Sequence, residues 1–144
     1  MQKTPIYIYY AYIYAGKSIK EAELFQEIDY IIPIPLHPKK EHIRGYNQSH
    51  VIAQGVEDVT EIPIMKDCLY RKVFTSTQTK KSREERWDNV KDIFDIKNGE
   101  RLKGQHVLLI DDVLTTGATL MAAGKTLSQI PDIKISVATA ACAS

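Results

Sequence analysis

The sequence predicts a single doubly wound α/β domain, in which helices cover both faces of a parallel sheet. Segments that can form strands alternate with segments of helical periodicity. The two clearest strands, residues 107–110 and 134–142, are largely apolar along their length, as strands buried on both faces are. A chain of 144 residues is long enough for one such domain with its own core. We therefore expect one domain over residues 1–144.

The first half of the chain supplies the early elements. Residues 6–14 are rich in β-forming side chains and predict a strand, and residues 18–28 have the apolar spacing of an amphipathic helix. The apolar run after Asp29 predicts a strand that ends in a rigid loop, because three closely spaced prolines exclude a helix there. A short helix over residues 47–55 and a short strand over residues 61–65 follow.

The second half contains the best-defined elements. Residues 72–94 carry ten charged side chains among few apolar ones, which predicts a loop followed by a short turn or helix. The buried strand 107–110 follows a Lys-Gly turn and ends at two aspartates. A helix from about residue 119 to residue 130 stops before Pro131, and residues 134–142 form another buried strand.

The composition excludes several classes of protein. Apolar residues make up 44% of the chain and charged residues 26%, as in a soluble globular domain. A net charge of +1 gives no whole-molecule attraction to nucleic acid or to an anionic membrane. The longest uncharged apolar run, residues 5–15, has about half the length of a membrane-spanning helix and makes a poor signal peptide. We expect a cytoplasmic protein without membrane association.

The cysteines and histidines give no sign of a metal site. Cys68 and Cys142 are far apart in the sequence and form no Cys-x-x-Cys pair, so we expect two buried thiols in a reducing compartment. The four histidines have no metal-ligand spacing, and none is a catalytic candidate.

The strongest functional signal is the segment VLLIDDVLTTGATL, residues 107–120. A buried strand brings Asp111 and Asp112 to its carboxyl end, where open α/β sheets bind ligands. The threonine hydroxyls of the next turn suit a phosphate, and Gly117 lets backbone N–H groups converge on it at a helix N-terminus. The carboxylates suit sugar hydroxyls, or a divalent cation held through water. Together these groups indicate a phosphorylated sugar as the ligand.

The aspartates and threonines of this segment have three other interpretations. The aspartates and threonines could simply cap the strand and the helix. A nucleotide-hydrolysing loop requires Gly-x-x-x-x-Gly-Lys-[Ser/Thr], a motif that the sequence lacks. A phospho-accepting receiver domain also ends a strand in paired aspartates, but near its start, whereas Asp112 lies in the last quarter of this chain.

The same segment resembles the phosphoribosyl pyrophosphate (PRPP) signature of type I phosphoribosyltransferases. Two upstream segments, IPIPLHPKKEHIRGYNQSHVIA at residues 32–53 and TQTKKSREERWDNVKDIF at residues 77–94, resemble the ComF family of competence-associated phosphoribosyltransferases. The resemblance implies a type I phosphoribosyltransferase-like, Rossmann-like fold. It also implies a glycosyltransferase that moves the phosphoribosyl group of PRPP, bound with Mg²⁺, to a nitrogen acceptor and releases pyrophosphate, as in nucleotide metabolism.

The resemblance also implies roles for particular residues. Asp111 and Asp112 would bind the ribose hydroxyls, with any contact to Mg²⁺ made through water. The 5′-phosphate would lie in the turn formed by Thr115, Thr116, Gly117, Ala118 and Thr119. The pyrophosphate loop, which in the family often contains a non-proline cis peptide, maps to residues 35–40. Its candidate contacts are Pro35, Leu36, His37, Lys39, Lys40 and Arg44, whose cations suit a pyrophosphate, although a solvated basic turn remains an alternative.

Two further blocks match the family. The charged segment 72–94 corresponds to the mobile loop that closes over PRPP, excluding water from a cationic transition state. Its Lys80, Lys81, Arg83 and Arg86 would bring positive charge to the departing pyrophosphate, and Arg83 and Arg86 are catalytic candidates together with the two aspartates. An ordinary charged surface is the alternative. The element Gly45, Tyr46, Asn47 and Gln48 has tyrosine where the family has phenylalanine, and we expect it to be structural.

The start of the chain departs from the family pattern. ComF-like proteins usually begin with a four-cysteine zinc ribbon, which this sequence lacks, and residues 1–28 match poorly and look shortened. We therefore expect a reduced acceptor-binding hood. This leaves an alternative to the transferase open, in which the chain is a PRPP-binding or competence-associated interaction protein without turnover.

The tyrosine-rich segment 6–14 leaves three interpretations open. It could form a core or edge strand, pair with a second copy in a homodimer, or stack on the bases of single-stranded DNA. The absence of interleaved basic residues counts against DNA. The acceptor and the oligomeric state are not determined by the sequence.

Overall fold

The computed structural model describes residues 27–72 and 93–143. In chain order the elements are strand β1 (Tyr30–Pro33), helices α1 (Pro38–Arg44) and α2 (Gln48–Thr60), strands β2 (Leu69–Arg71) and β3 (Phe94–Ile96), a 3₁₀ helix (Gly99–Leu102), strand β4 (His106–Leu114), helix α3 (Ala118–Leu127) and strand β5 (Lys134–Cys142). The strand expected over residues 6–14, nearly all of the helix expected over residues 18–28, and most of the charged segment lie outside the described residues.

A parallel sheet in the order β1–β4–β5 forms the centre of the described fold. The β1–β4 register runs from Tyr30 opposite Val107 to Pro33 opposite Ile110, and β5 follows β4 over its whole length. Because all three strands run in the same direction, their carboxyl ends lie at one edge of the sheet. This is the edge at which such folds bind ligands.

Two apolar clusters on opposite faces of the sheet confirm the doubly wound α/β fold. On one face, α2 packs against β1 and β4 through Ile52, Ala53, Val56, Ile31, Leu108 and Ile110. On the other face, α3 packs against the same strands through Leu120, Ala123, Leu127, Ile32, Val107 and Leu109. Each large apolar side chain buried in this way contributes about 1.5–3 kcal/mol to stability. The two clusters hold the sheet rigid beneath the ligand-binding edge.

The central strand β4 confirms the prediction for residues 107–110, all of which are at most 1% exposed. It is longer than predicted. Backbone pairing with β5 continues past Ile110, with Asp111 opposite Thr139 and Val113 opposite Ala141. The acidic pair therefore lies inside a hydrogen-bonded strand, because side-chain charge does not prevent the backbone from pairing.

Helix α1 corrects the prediction that the prolines exclude a helix after β1. The helix begins at Pro38, where a missing backbone N–H costs nothing because the first N–H groups of a helix have no intrahelical acceptor. His37 caps it, since its Nδ1 accepts from Lys39 N at 3.2 Å. Gly45, at φ 79°, ends it. The turn expected over residues 35–40 is thus a loop as far as His37 and a helix from Pro38, and no cis peptide bond occurs among residues 27–72 and 93–143.

The remaining helices are close to their predictions. Asn47 caps α2 at the expected start, and the helix runs to Thr60 rather than to residue 55. Helix α3 begins one residue earlier than expected and ends at Leu127. The prediction of a strand over residues 61–65 is wrong, because this segment forms a single isolated bridge between Ile64 and Ile31.

The antiparallel pair β2–β3 and the 3₁₀ helix were not predicted. Leu69 lies opposite Ile96, and Arg71 lies opposite Phe94. Leu69 and Phe94 are buried in the apolar cluster on the α3 side of the sheet. Strands of three residues are too short to show an alternating pattern, so this pair gave no periodic signal.

Two predictions of burial are wrong. Cys68 is buried as expected, but Cys142 is exposed. No residue of β5 within the described chain is buried, and Val137 is 46% exposed. In the described sheet β5 is an edge strand with β4 as its neighbour on one side, which leaves its side chains partly accessible. Within residues 27–72 and 93–143, no helix is both long and apolar enough to cross a bilayer.

Candidate functional site

The acidic pair is held by hydrogen bonds from its own strand and from α2. Oδ1 of Asp111 accepts from Ser49 Oγ at 3.0 Å and from Asp112 N at 2.9 Å. Oδ1 of Asp112 accepts from Val113 N at 2.9 Å. Burial raises the pKa of Asp111, and the neighbouring Asp112 carboxylate adds to this, while the bonds from Asp112 N and Ser49 oppose it. Ionisation of Asp111 is therefore less favourable than that of an exposed aspartate, as is common for carboxyl groups in functional sites.

The turn after β4 brings the N-terminus of α3 to the same edge of the sheet. Gly117 has φ 78°, a conformation that favours glycine, and its carbonyl accepts the helical bond from Met121 N at 2.9 Å. Thr116 Oγ1 accepts from Ala118 N at 3.3 Å. The first turn of α3 contains no acidic side chain. Its remaining N–H groups and the helix dipole thus favour an anion.

A cavity of about 320 Å³ lies between this turn and the loop after β1. It brings together eight of the candidate residues: Asp111, Asp112, Thr115, Thr119, Pro35, Leu36, Lys40 and Arg44. Its other lining residues are Ile34, Asn47, Gln48, Ser49, Arg71 and Val113. Segments far apart in the sequence therefore form one site at the carboxyl edge of the sheet.

Several other candidates do not line this cavity. His37 caps α1, and Lys39 lies on another surface of that helix, in a shallow apolar depression with His42 and Ile43. Thr116, Gly117 and Ala118 form the turn itself without lining the cavity. The catalytic candidates Arg83 and Arg86, with Lys80 and Lys81, lie outside the described residues.

Arg71 is a cavity residue that the sequence analysis missed. Its Nε is buried and has no hydrogen-bond partner within the described part of the chain. Its guanidinium lies 5.1 Å from the centre of the Phe94 ring. Burial lowers the pKa of Arg71, and the negative charge of Asp111 opposes that shift, although arginine remains protonated. A half-buried cation with an unused donor beside a cavity is suited to an anionic ligand.

The residues at the start of α2 form hydrogen bonds that hold the wall of the cavity. Asn47 Nδ2 donates to Ile34 O at 2.9 Å, while its Oδ1 accepts from Ser49 N at 3.0 Å. Gln48 Oε1 accepts from Arg44 Nη1 at 3.1 Å, so Gln48 holds Arg44 beside the cavity. A structural role was expected for Asn47 and Gln48, and these contacts agree with it. Nothing in the sequence pointed to Ser49, because its partner Asp111 is 62 positions away.

The described residues of the cavity carry charges of both signs. The cations are Lys40 and Arg44 of α1 and Arg71 of β2, and the anions are Asp111 and Asp112. No group of three or more His, Cys, Asp or Glu side chains in the described residues could hold a metal ion alone. The arrangement suits a ligand with both hydroxyl and anionic groups, and a divalent cation would need further oxygen ligands from that molecule or from water.

Comparison with known proteins agrees with this geometry. The phosphoribosyl transferase domain model matches residues 49–141. Competence protein ComFC of Bacillus subtilis is 36% identical over 97 residues, which are 67% of this chain and 37% of that protein. Competence protein F of Haemophilus influenzae is 33% identical over 117 residues, which are 81% of this chain and 51% of that protein. The chain thus spans about half, or less, of the length of these relatives.

A solved structure has the same fold. The glutamine PRPP amidotransferase from Bacillus subtilis, complexed with ADP and GMP, superposes with a TM-score of 0.61 at 19% identity. The match covers 92% of this chain and 26% of that one. The sequence matches and the shared sheet architecture show that the chain belongs to the phosphoribosyl transferase domain family, as a ComF-like member of its type I class.

Proposed function

We propose that the cavity binds PRPP with Mg²⁺ and that the chain transfers the phosphoribosyl group to a nitrogen acceptor. The observation that carries the proposal is the composition of the cavity. Two carboxylates, a threonine turn at a helix N-terminus and three cations surround a space of about 320 Å³. A ribose with anionic groups at both ends has matching chemistry.

In the proposed complex, each part of the ligand lies beside groups of matching chemistry. Its 5′-phosphate belongs at Thr115, Thr119 and the N-terminus of α3, where N–H groups stabilise an anion. Its ribose hydroxyls belong at Asp111 and Asp112, since ionised carboxylates only accept hydrogen bonds. The pyrophosphate then belongs beside Lys40, Arg44 and Arg71, whose positive charges match it.

The donor set fits Mg²⁺ as part of the substrate complex. Two carboxylates offer the hard oxygen atoms that Mg²⁺ prefers, but are too few to enclose it, as expected for an ion held mainly by phosphates and water. When bound, Mg²⁺ supplies positive charge that neutralises the pyrophosphate.

The chain's own residues would act by positioning and charge stabilisation. The acceptor nitrogen forms a bond to the anomeric carbon while the bond from that carbon to pyrophosphate oxygen breaks, and pyrophosphate leaves with the electron pair. The two carboxylates orient the ribose and lie near the positive charge that develops on it. The cations of α1 and β2 stabilise the negative charge of the leaving group. No side-chain nucleophile is required, because the acceptor nitrogen itself attacks the anomeric carbon.

Calorimetric titration of Mg·PRPP into the wild type and the double variant Asp111→Asn/Asp112→Asn tests the binding site. We expect saturable binding to the wild type and a loss of about a hundredfold in affinity in the variant, because two charged acceptors become amides. Ribose 5-phosphate is the control ligand that lacks pyrophosphate. Equal affinity in the folded double variant and the wild type would exclude this cavity as the ribose site.

A second candidate function is PRPP binding without turnover, in a competence-associated role. It is favoured by the relatives, which are described as competence proteins and, for one from Escherichia coli, as a DNA utilization protein. Pyrophosphate release in the presence of a panel of nucleobases and amines separates the two functions. Release that depends on one acceptor supports the transferase, whereas Mg·PRPP binding without release across the panel supports the binding protein.

A further inference from the structure

A closed set of hydrogen bonds connects the loop after β1 to the acidic pair of β4. Ile34 N donates to Ile110 O at 2.8 Å, and Ile34 O accepts from Asn47 Nδ2 at 2.9 Å. Asn47 Oδ1 accepts from Ser49 N at 3.0 Å. Ser49 Oγ then donates to Asp111 Oδ1 at 3.0 Å, next to Ile110 in the chain. The position of the Asp111 carboxylate is therefore tied to the opposite wall of the cavity.

Ser49 is the link in this set that reaches the carboxylate. Ser49 as a whole is only 4% exposed, so bulk water does not compete freely for the hydroxyl. Its backbone is fixed as well, because the Asn47 cap holds its N–H at the start of α2. With Asp112 N, it is the second donor on the same oxygen of Asp111. The protein thus orients the carboxylate before a ligand arrives.

We propose that Ser49 is a positioning residue that orients Asp111 toward the ribose hydroxyls. This inference rests on the proposed function. A carboxylate that can rotate must be ordered when the ligand binds, and this costs affinity. A carboxylate held by a fixed donor avoids that cost. Ser49 acts through Asp111 and needs no contact with the ligand. Its removal weakens binding of the ribose and leaves binding of pyrophosphate unchanged.

The test uses the intact chain and two probes, ribose 5-phosphate and Mg-pyrophosphate, in calorimetric titrations. We expect Ser49→Ala to lower the affinity for ribose 5-phosphate about tenfold, because one hydrogen bond to a charged group is lost. Its affinity for Mg-pyrophosphate stays within about twofold of the wild type, because the cations that receive this probe are not held by Ser49. Thr126→Val is the matched control, since Thr126 is the other buried hydroxyl of the described chain and its Oγ1 donates to Ala122 O within α3.

A double-mutant cycle with Asp111→Ala, which removes the acceptor of the Ser49 hydroxyl, separates positioning from a general structural effect. If Ser49 acts through Asp111, Ser49→Ala causes no further loss of ribose 5-phosphate affinity in the Asp111→Ala background. Additive losses, or equal weakening of both probes by Ser49→Ala, would overturn the positioning role while leaving the proposed function in place. A wild type that binds neither probe and no Mg·PRPP would overturn the proposed function and, with it, this role.

Discussion

At the scale of single residues, the charge of Asp111 opposes the stability of the fold. Burial raises the pKa of this carboxyl in the folded chain, so its ionised form is less favourable there than in the unfolded chain. The stability that protonated Asp111 contributes is complete below the ordinary pKa of an aspartate, about 3.9. It is lost as the pH rises through the raised pKa of the folded state.

Replacing Asp111 by Asn should therefore stabilise the protein at neutral pH. The amide oxygen can still accept from Ser49 and from Asp112 N, while the buried charge and its repulsion by Asp112 are removed. The loss of the attraction between Asp111 and Arg71 offsets part of this gain. We expect the Tm at pH 7 to rise by about 2–5 °C. The gain should shrink toward zero near pH 2.5, where the wild-type carboxyl is protonated in both states. Thermal unfolding followed by circular dichroism at both pH values checks this, and a lower Tm at pH 7 would contradict it.

Arg71 is a second residue whose properties follow from its burial. Arg71 lines the cavity, and its Nε has no hydrogen-bond partner among the described residues. We expect Arg71→Gln to lower the affinity for Mg-pyrophosphate about tenfold, because a charged donor is lost. Lys97→Gln is the control, since Lys97 lies over the Tyr70 ring on the same strand pair and does not line the cavity. Unchanged affinity for Mg-pyrophosphate in Arg71→Gln would show that Arg71 does not bind pyrophosphate.

At the scale of elements, the N-terminus of α3 depends on the conformation of one glycine. A Cβ at Gly117 would lie 3.6 Å from Leu114 Cδ1, which is ordinary contact, so space does not exclude a side chain there. The φ of 78° does disfavour it. Gly117→Ala should therefore lower the free energy of unfolding by about 1 kcal/mol. Urea denaturation measures this, and Gly124→Ala within α3 is the control, because no atom lies near a Cβ at that position and its φ is not positive.

The elements also differ in how well the sequence predicted them. Strand β4 and helix α3 were predicted because long apolar runs and helical periodicity leave few alternatives. Helix α1 was missed because proline was interpreted as excluding a helix, although Pro38 occupies a starting position where it is favourable. Strands β2 and β3 have only three residues each, and their pairing depends on tertiary contacts that no local pattern contains.

At the scale of the whole molecule, the same distinction applies to the cavity. Asp111, Asp112, Thr115 and Thr119 could be predicted because they belong to one continuous motif that runs from the end of β4 into α3. Ser49 and Arg71 could not, because they reach the cavity from α2 and from the separate two-stranded sheet. The order of the elements along the chain was enough to predict the fold class. Prediction of the complete site would have needed the positions of those elements in three dimensions.

The exposure of α1 has a consequence for how such a site can change. None of the residues of α1 is buried, yet the helix carries Lys40 and Arg44, two of the three cavity cations. Substitutions on this helix therefore alter the charge offered to a ligand without creating a void in either apolar cluster. In this chain α1 is therefore an element whose charge toward the cavity can be redesigned while the folding core stays the same.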